Sequence, residues 1–100
     1  MPFSEISRQR FDELNQPDRC EGLWPREHER AWFTCDAENI VGVLLEDPAK
    51  GYWSYMLCVR SDKGGYRRVG LGADIPSEHL ARRAIAGAMD GYRSCWPVPD

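Results

Sequence analysis

The sequence predicts an α+β fold: an antiparallel sheet of three to four strands, a C-terminal helix packed on one face and a short N-terminal helix. Three observations carry this. Strand-type apolar runs follow one another at 40–46, 52–61 and 66–72, a glycine-bearing turn separates each from the next, and residues 77–90 then switch to the helical period.

Taken in order, Phe3 to Gln16 reads as a helix with Ser4 at its N-cap and Glu5 in its first turn, ending before Pro17. On a helical wheel Phe3, Ile6, Phe11 and Leu14 share one side, which is expected to dock on a core. Residues 17–29 follow neither period and read as an irregular connection anchored by Leu23-Trp24-Pro25, with Trp24 expected to plug one end of the core. Ala31 to Cys35 is a short aromatic strand. Ile40 to Glu46 carries aliphatic residues on both parities, the pattern of a strand covered on both faces.

Asp47-Pro48-Ala49-Lys50-Gly51 combines a preset φ at proline with a positive φ at glycine, so Ile40 to Glu46 and Tyr52 to Ser61 are expected to pair as a hairpin. In the second of these, Trp53, Tyr55, Leu57 and Val59 alternate with Tyr52, Ser54, Met56, Cys58 and Arg60, and the first set is expected to face the core. Asp62 to Gly65 makes the next turn. Tyr66 to Gly72 returns with Val69 and Leu71 on one face and Tyr66, Arg68 and two glycines on the other. Ser77 then caps a helix that Asp90-Gly91 should stop, with Leu80, Ala81, Ala84, Ile85, Ala88 and Met89 as its apolar half. Its alanines are expected to bring the axis close to the sheet. Residues 92–100 form a tail in which Pro97 and Pro99 exclude continued helix.

A chain of 100 residues has the length of one domain and buries roughly 65% of its unfolded surface on folding. Residues 1–100 are expected to form a single unit with its core over 31–91. Apolar residues make up 42% and charged residues 29% of the chain, which excludes wholesale disorder. No apolar run approaches the roughly 18 residues of a membrane span, and no apolar segment follows a basic start, so no membrane association and a cytoplasmic location are expected. Cys20, Cys35, Cys58 and Cys95 are widely spaced, and Cys35 and Cys58 fall in strands, where the thiol acts as a small buried hydrophobe.

Residues 1–45 carry five arginines against nine acids, and residues 46–93 eight basic residues against six acids, within a net charge of −3. A nonspecific nucleic-acid binder draws its affinity from a basic excess that this chain lacks. His28, His79 and the cysteines lack the short paired spacings of a zinc site, so no metal or cofactor is expected. No nucleophile elbow, P-loop or dinucleotide fingerprint occurs, and Gly70-Leu71-Gly72 runs into Ala73-Asp74-Ile75 instead of a helix, so catalysis is not expected.

The signal left over is the sheet face opposite the helix, where Tyr52, Met56, Arg60, Tyr66 and Arg68 are expected to lie together. Tyr, Met and Arg are enriched at protein interfaces. Aromatics interleaved with Arg also stack bases and hold phosphates. Ahead of both stands a purely structural reading, in which the first helix or the aromatic loop covers this face and the Arg stems lie over the Tyr rings. The expectation is a noncatalytic interaction module binding a protein through this face or the aromatic loop, with nucleic-acid binding as the alternative.

Three strands followed by a helix over residues 40–90 resembles, in element order, the layout of double-stranded RNA-binding domains and of AP2 DNA-binding domains. In the first family a basic cluster opens the last helix, where this chain has Ser77, Glu78 and His79. In the second, Arg and Trp on the open sheet face reach the DNA, a role the resemblance would give to Arg60 and Arg68.

Overall fold

A computed structural model describes residues 3–15, 24–35, 38–60 and 65–92. Cys20, Cys95, Trp96, most of the 61–65 turn and the tail beyond Tyr92 lie outside them. Five antiparallel strands stand in the order β1-β2-β3-β4-β5: β1 (Phe3–Ile6), β2 (Glu29–Cys35), β3 (Ile40–Glu46), β4 (Trp53–Arg60) and β5 (Tyr66–Ile75). Helix α1 (Arg8–Asn15) follows β1, a 3-10 turn at Arg26–His28 precedes β2, and helix α2 (Glu78–Tyr92) is the last element among the described residues. The α+β class and both helices are as the sequence predicts; the sheet has one strand more.

The extra strand comes from the start of the expected N-terminal helix. In a helix Phe3 and Ile6 would share a side, but in a strand they point to opposite faces, and each finds a core. Phe3 stacks on Phe33 with ring centroids 5.1 Å apart, while Ile6 packs on the other face beside Trp32. Ser7, not Ser4, is the cap: its hydroxyl accepts from the Arg10 N–H at 3.0 Å. Phe11 and Leu14 then pack downward as the wheel predicts.

β3 is the central strand, and six of its seven residues are buried. Ile40 and Leu44 join Ala31, Phe33, Cys35, Leu57 and Val59 beneath Ala81, Ile85 and Met89 of α2. Val41, Val43 and Leu45 join Phe11, Trp24, Met56 and Cys58 on the other face. The helix approaches the sheet at Gly42, where a Cβ would stand 2.9 Å from Leu57 Cδ2 and 3.0 Å from Ile85 Cδ1. Ala84, expected at the centre of the contact, is only half-buried, and Leu80 stays 44% exposed at the margin of the apolar arc. α2 also runs through Gly91 to Tyr92. The Tyr92 hydroxyl donates to the Val69 carbonyl at 2.8 Å, and its ring covers Gly70, so tertiary packing overrides the glycine stop signal.

The β3–β4 hairpin has the expected chemistry. Asp47 Oδ1 accepts from the Ala49 and Lys50 N–H groups at 2.9 and 3.3 Å, and Gly51 takes φ +74°. Trp53, Tyr55, Leu57 and Val59 face α2 as expected. β5 departs from expectation in a way that matters for the site. It carries one extra residue between Arg68 and Gly70, which oppose Cys58 and Leu57, and another between Gly72 and Ile75, which oppose Tyr55 and Trp53. Each β-bulge shifts the side-chain parity. Val69 therefore stays on the α2 side, but Leu71, expected beside it in the core, opposes Met56 on the other face and is 62% exposed.

The same geometry presses the Tyr55 ring onto Gly72, where an added Cβ would fall 2.3 Å from Cε2 and 2.7 Å from Cζ. Gly72→Ala is expected to cost about 1 to 3 kcal/mol in urea unfolding, because the ring has to leave its place. Gly87→Ala, on an exposed helix position with nothing within 4 Å, should stabilise by roughly 0.5 to 1 kcal/mol.

Candidate interaction face

The face opposite α2 divides into a covered part, a polar corner and an open groove. The cover consists of α1 and the segment from Trp24 to His28, and it is fastened by Glu29, whose carboxylate is fully buried. Oε2 accepts from the Trp24 indole at 2.6 Å and pairs with Arg26 Nε at 3.1 Å. Oε1 accepts from the Trp32 indole at 3.3 Å and pairs with Arg8 Nε at 3.4 Å. Arg26 also pairs with Asp12 of α1. One carboxylate thus ties together β2, the 3-10 turn and α1. A buried charge is tolerable only when so partnered.

Trp24 is 7% exposed, the plug expected from the sequence. Its partner Glu29 sits at an irregularity in β2, where Glu29 opposes Leu45 but Ala31 opposes Leu44. That bulge lets the first residue of the strand face the cover. The sequence carries a local signal for this clamp: an Arg26/Glu29 pair three apart, flanked by Trp24 and Trp32.

The polar corner lies where the β2–β3 turn meets β4 and β5. Glu38 takes φ +69°. Its carboxylate receives Arg10 Nε at 2.9 Å and Nη2 at 2.6 Å, and that hydrogen bonding holds it below the usual carboxylate range while raising the guanidinium. The Glu38 carbonyl accepts from the Tyr66 hydroxyl, which in turn accepts from Arg60 Nη2 at 3.0 Å. Arg60 Nε donates to Asn39 Oδ1 at 3.0 Å, and the guanidinium lies 5.0 Å from the centroid of the Tyr66 ring. Burial pushes the Tyr66 phenol above 10, with the Arg60 charge opposing.

Four of the five residues singled out from the sequence share the face opposite α2: Arg60 opposes Tyr66, Arg68 opposes Cys58, and Met56 lies two residues along β4 from Cys58. Arg60 and Tyr66 brace the corner, Met56 is 8% exposed in the second core, Arg68 is exposed on β5, and Tyr52 is 47% exposed ahead of β4. Beside them lies a groove of about 350 Å³. Trp24, Pro25 and His28 line one side, residues 71–73 the other, and Leu45, Ser54 and Met56 lie between. Tyr52 lines an adjoining depression that shares Asp47, Ser54 and Ala73 with the groove.

His28, Asp47 and Ser54 line the groove together. Asp47 is engaged by its own turn, and no hydrogen bond assembles the three into a nucleophile and base. Among the described residues no cluster of His, Cys, Asp or Glu is placed to hold a metal ion, and no helix is long and apolar enough to cross a membrane. No protein-family model matches the chain, and no curated protein or solved structure does either.

Two outcomes test these clusters. Glu29→Ala leaves two arginines and two indole N–H groups facing an emptied site, and should cost about 3 kcal/mol or more in equilibrium unfolding. Trp24 fluorescence should shift to the red as its cover loosens. For Tyr66, a folded pKa above the unfolded one means its contribution is full below the unfolded value near 10 and is lost as pH rises through the raised folded value. Alkaline melting curves should show that loss. In Tyr66→Phe it should vanish, with stability at neutral pH lower by about 1 to 2 kcal/mol.

Proposed function

We propose that this chain is a noncatalytic interaction module that binds an extended apolar segment of a protein partner, seated in the groove between Trp24-Pro25 and β5. The observation that carries this is Leu71: an aliphatic side chain 62% exposed on the face it shares with Met56, lining one groove with Trp24, Pro25, Leu45 and Met56. Among the described residues β5 ends the sheet, so its outer backbone groups can pair with an added strand while alternate side chains enter the groove. A mixed lining of apolar side chains with Ser54, Asp47 and His28 fits such a segment.

Two facts favour a protein over a nucleic acid. Arg60 and Tyr66, the best base-stacking and phosphate-holding pair, are engaged with Glu38 and Asn39, and the net charge is −3. A reducing compartment such as the cytoplasm suits the buried Cys35 and Cys58.

The test is selection from a library of extended peptides, followed by fluorescence anisotropy on single sequences. Selected peptides should carry an aliphatic residue at one fixed position, and Leu71→Asp should weaken them about tenfold or more, the value of one buried aliphatic side chain. Peptides binding the Leu71→Asp chain equally well would sink the groove reading. Binding to an oligonucleotide mixture that falls steeply with salt and disappears in Arg68→Glu would favour nucleic acid instead.

A further inference from the structure

We infer that the partner is a second copy of this chain, paired antiparallel through β5 about a two-fold axis at Leu71. The inference rests on the groove reading above and names its occupant. β5 is the longer of the two edge strands, ten residues against four in β1. A long edge is a template for further pairing unless charge or irregularity blunts it.

Gly70-Leu71-Gly72 opposes Leu57-Met56-Tyr55 in regular register, and one irregular interval lies on either side of it. A two-fold axis at Leu71 sets the interval from Arg68 to Gly70 of one copy against the interval from Gly72 to Ile75 of the other, so the regular triplets pair with each other. Two-fold contacts are self-complementary, each patch meeting itself reversed.

Charge follows the same symmetry. Three residues before Leu71 stands Arg68, and three after it stands Asp74, both exposed. The two-fold places Arg68 of each copy opposite Asp74 of the other, giving two pairs of opposite sign. A parallel pairing in register would instead set Arg67 and Arg68 against themselves. Gly70 and Gly72 put no side chain across the axis. Leu71, 62% exposed in one copy, meets its counterpart there and seals the groove mouth beside Met56.

Sedimentation velocity from micromolar to millimolar concentration tests this. The full chain should pass from one to two chain masses. Leu71→Arg, which puts two like charges on the axis, should stay at one chain mass throughout, and should melt as the full chain does at micromolar concentration, where both are single chains. Arg68→Glu should also lose the dimer, and adding Asp74→Asn, which removes the repulsion and tolerates the φ of +58° at that position, should restore it in part. A chain at one mass throughout, or a dimer that survives both Leu71→Arg and Arg68→Glu, overturns the proposal. In a chain that never dimerises, peptide capture sensitive to Leu71→Asp leaves the groove reading standing, and its absence removes both.

Discussion

A central strand with apolar side chains on both faces needs two covers, and the rest of this molecule is arranged to supply them. β3 offers Ile40 and Leu44 to one side and Val41, Val43 and Leu45 to the other. Leaving either set in water would forgo roughly 1.5 to 3 kcal/mol per side chain. The α2 side is closed by an apolar core, with Gly42 letting Ile85 come down close to the sheet and the Tyr92 hydroxyl bonded to Val69 at the helix end. On the other side a helix of eight residues has too short an apolar stripe to hold itself in place, since isolated helices of this length are marginal. Its attachment is instead the Glu29 carboxylate with its two indoles and two guanidinium groups.

This difference explains where a surface is left over. The cover built on Glu29 reaches Val41, Val43, Leu45, Met56 and Cys58 through Phe11 and Trp24, and stops before β5. At the far corner, the turn carrying Glu38 is braced by Arg10, Arg60 and Tyr66, so those polar groups serve the fold. Between cover and edge the sheet is open, and the bulge after Arg68 turns Leu71 into that opening.

The repetitive elements were legible in the sequence because their signals are local. The parity of Trp53, Tyr55, Leu57 and Val59, the double burial of β3, the Asp47 to Gly51 turn and the Ser77 cap all follow from side-chain period and turn chemistry. The departures come from interactions between distant residues. Phe3 to Ile6 is a strand because Cys35 to Trp32 is there to pair with it. Leu71 left the core because of a bulge, which leaves no compositional mark beyond the adjacent glycines. The Glu29 clamp is only half legible, for a different reason. A glutamate in a polar stretch is ordinarily solvated, and only the fold brings Arg8 to it across twenty-one positions of sequence.

Every strand in this sheet lies beside the strand before it in sequence, and this has a kinetic meaning. From β2 onward the chain can zip hairpin by hairpin, closing only short loops, whose entropy cost grows slowly with length. Rates of folding follow such locality. The two helices then dock on opposite sides of an already paired sheet. β1 docks together with α2, since Arg82 pairs with Glu5 and Phe3 packs beneath the helix, whereas α1 lies on the other face, so its amides can exchange with solvent while those beneath α2 remain protected.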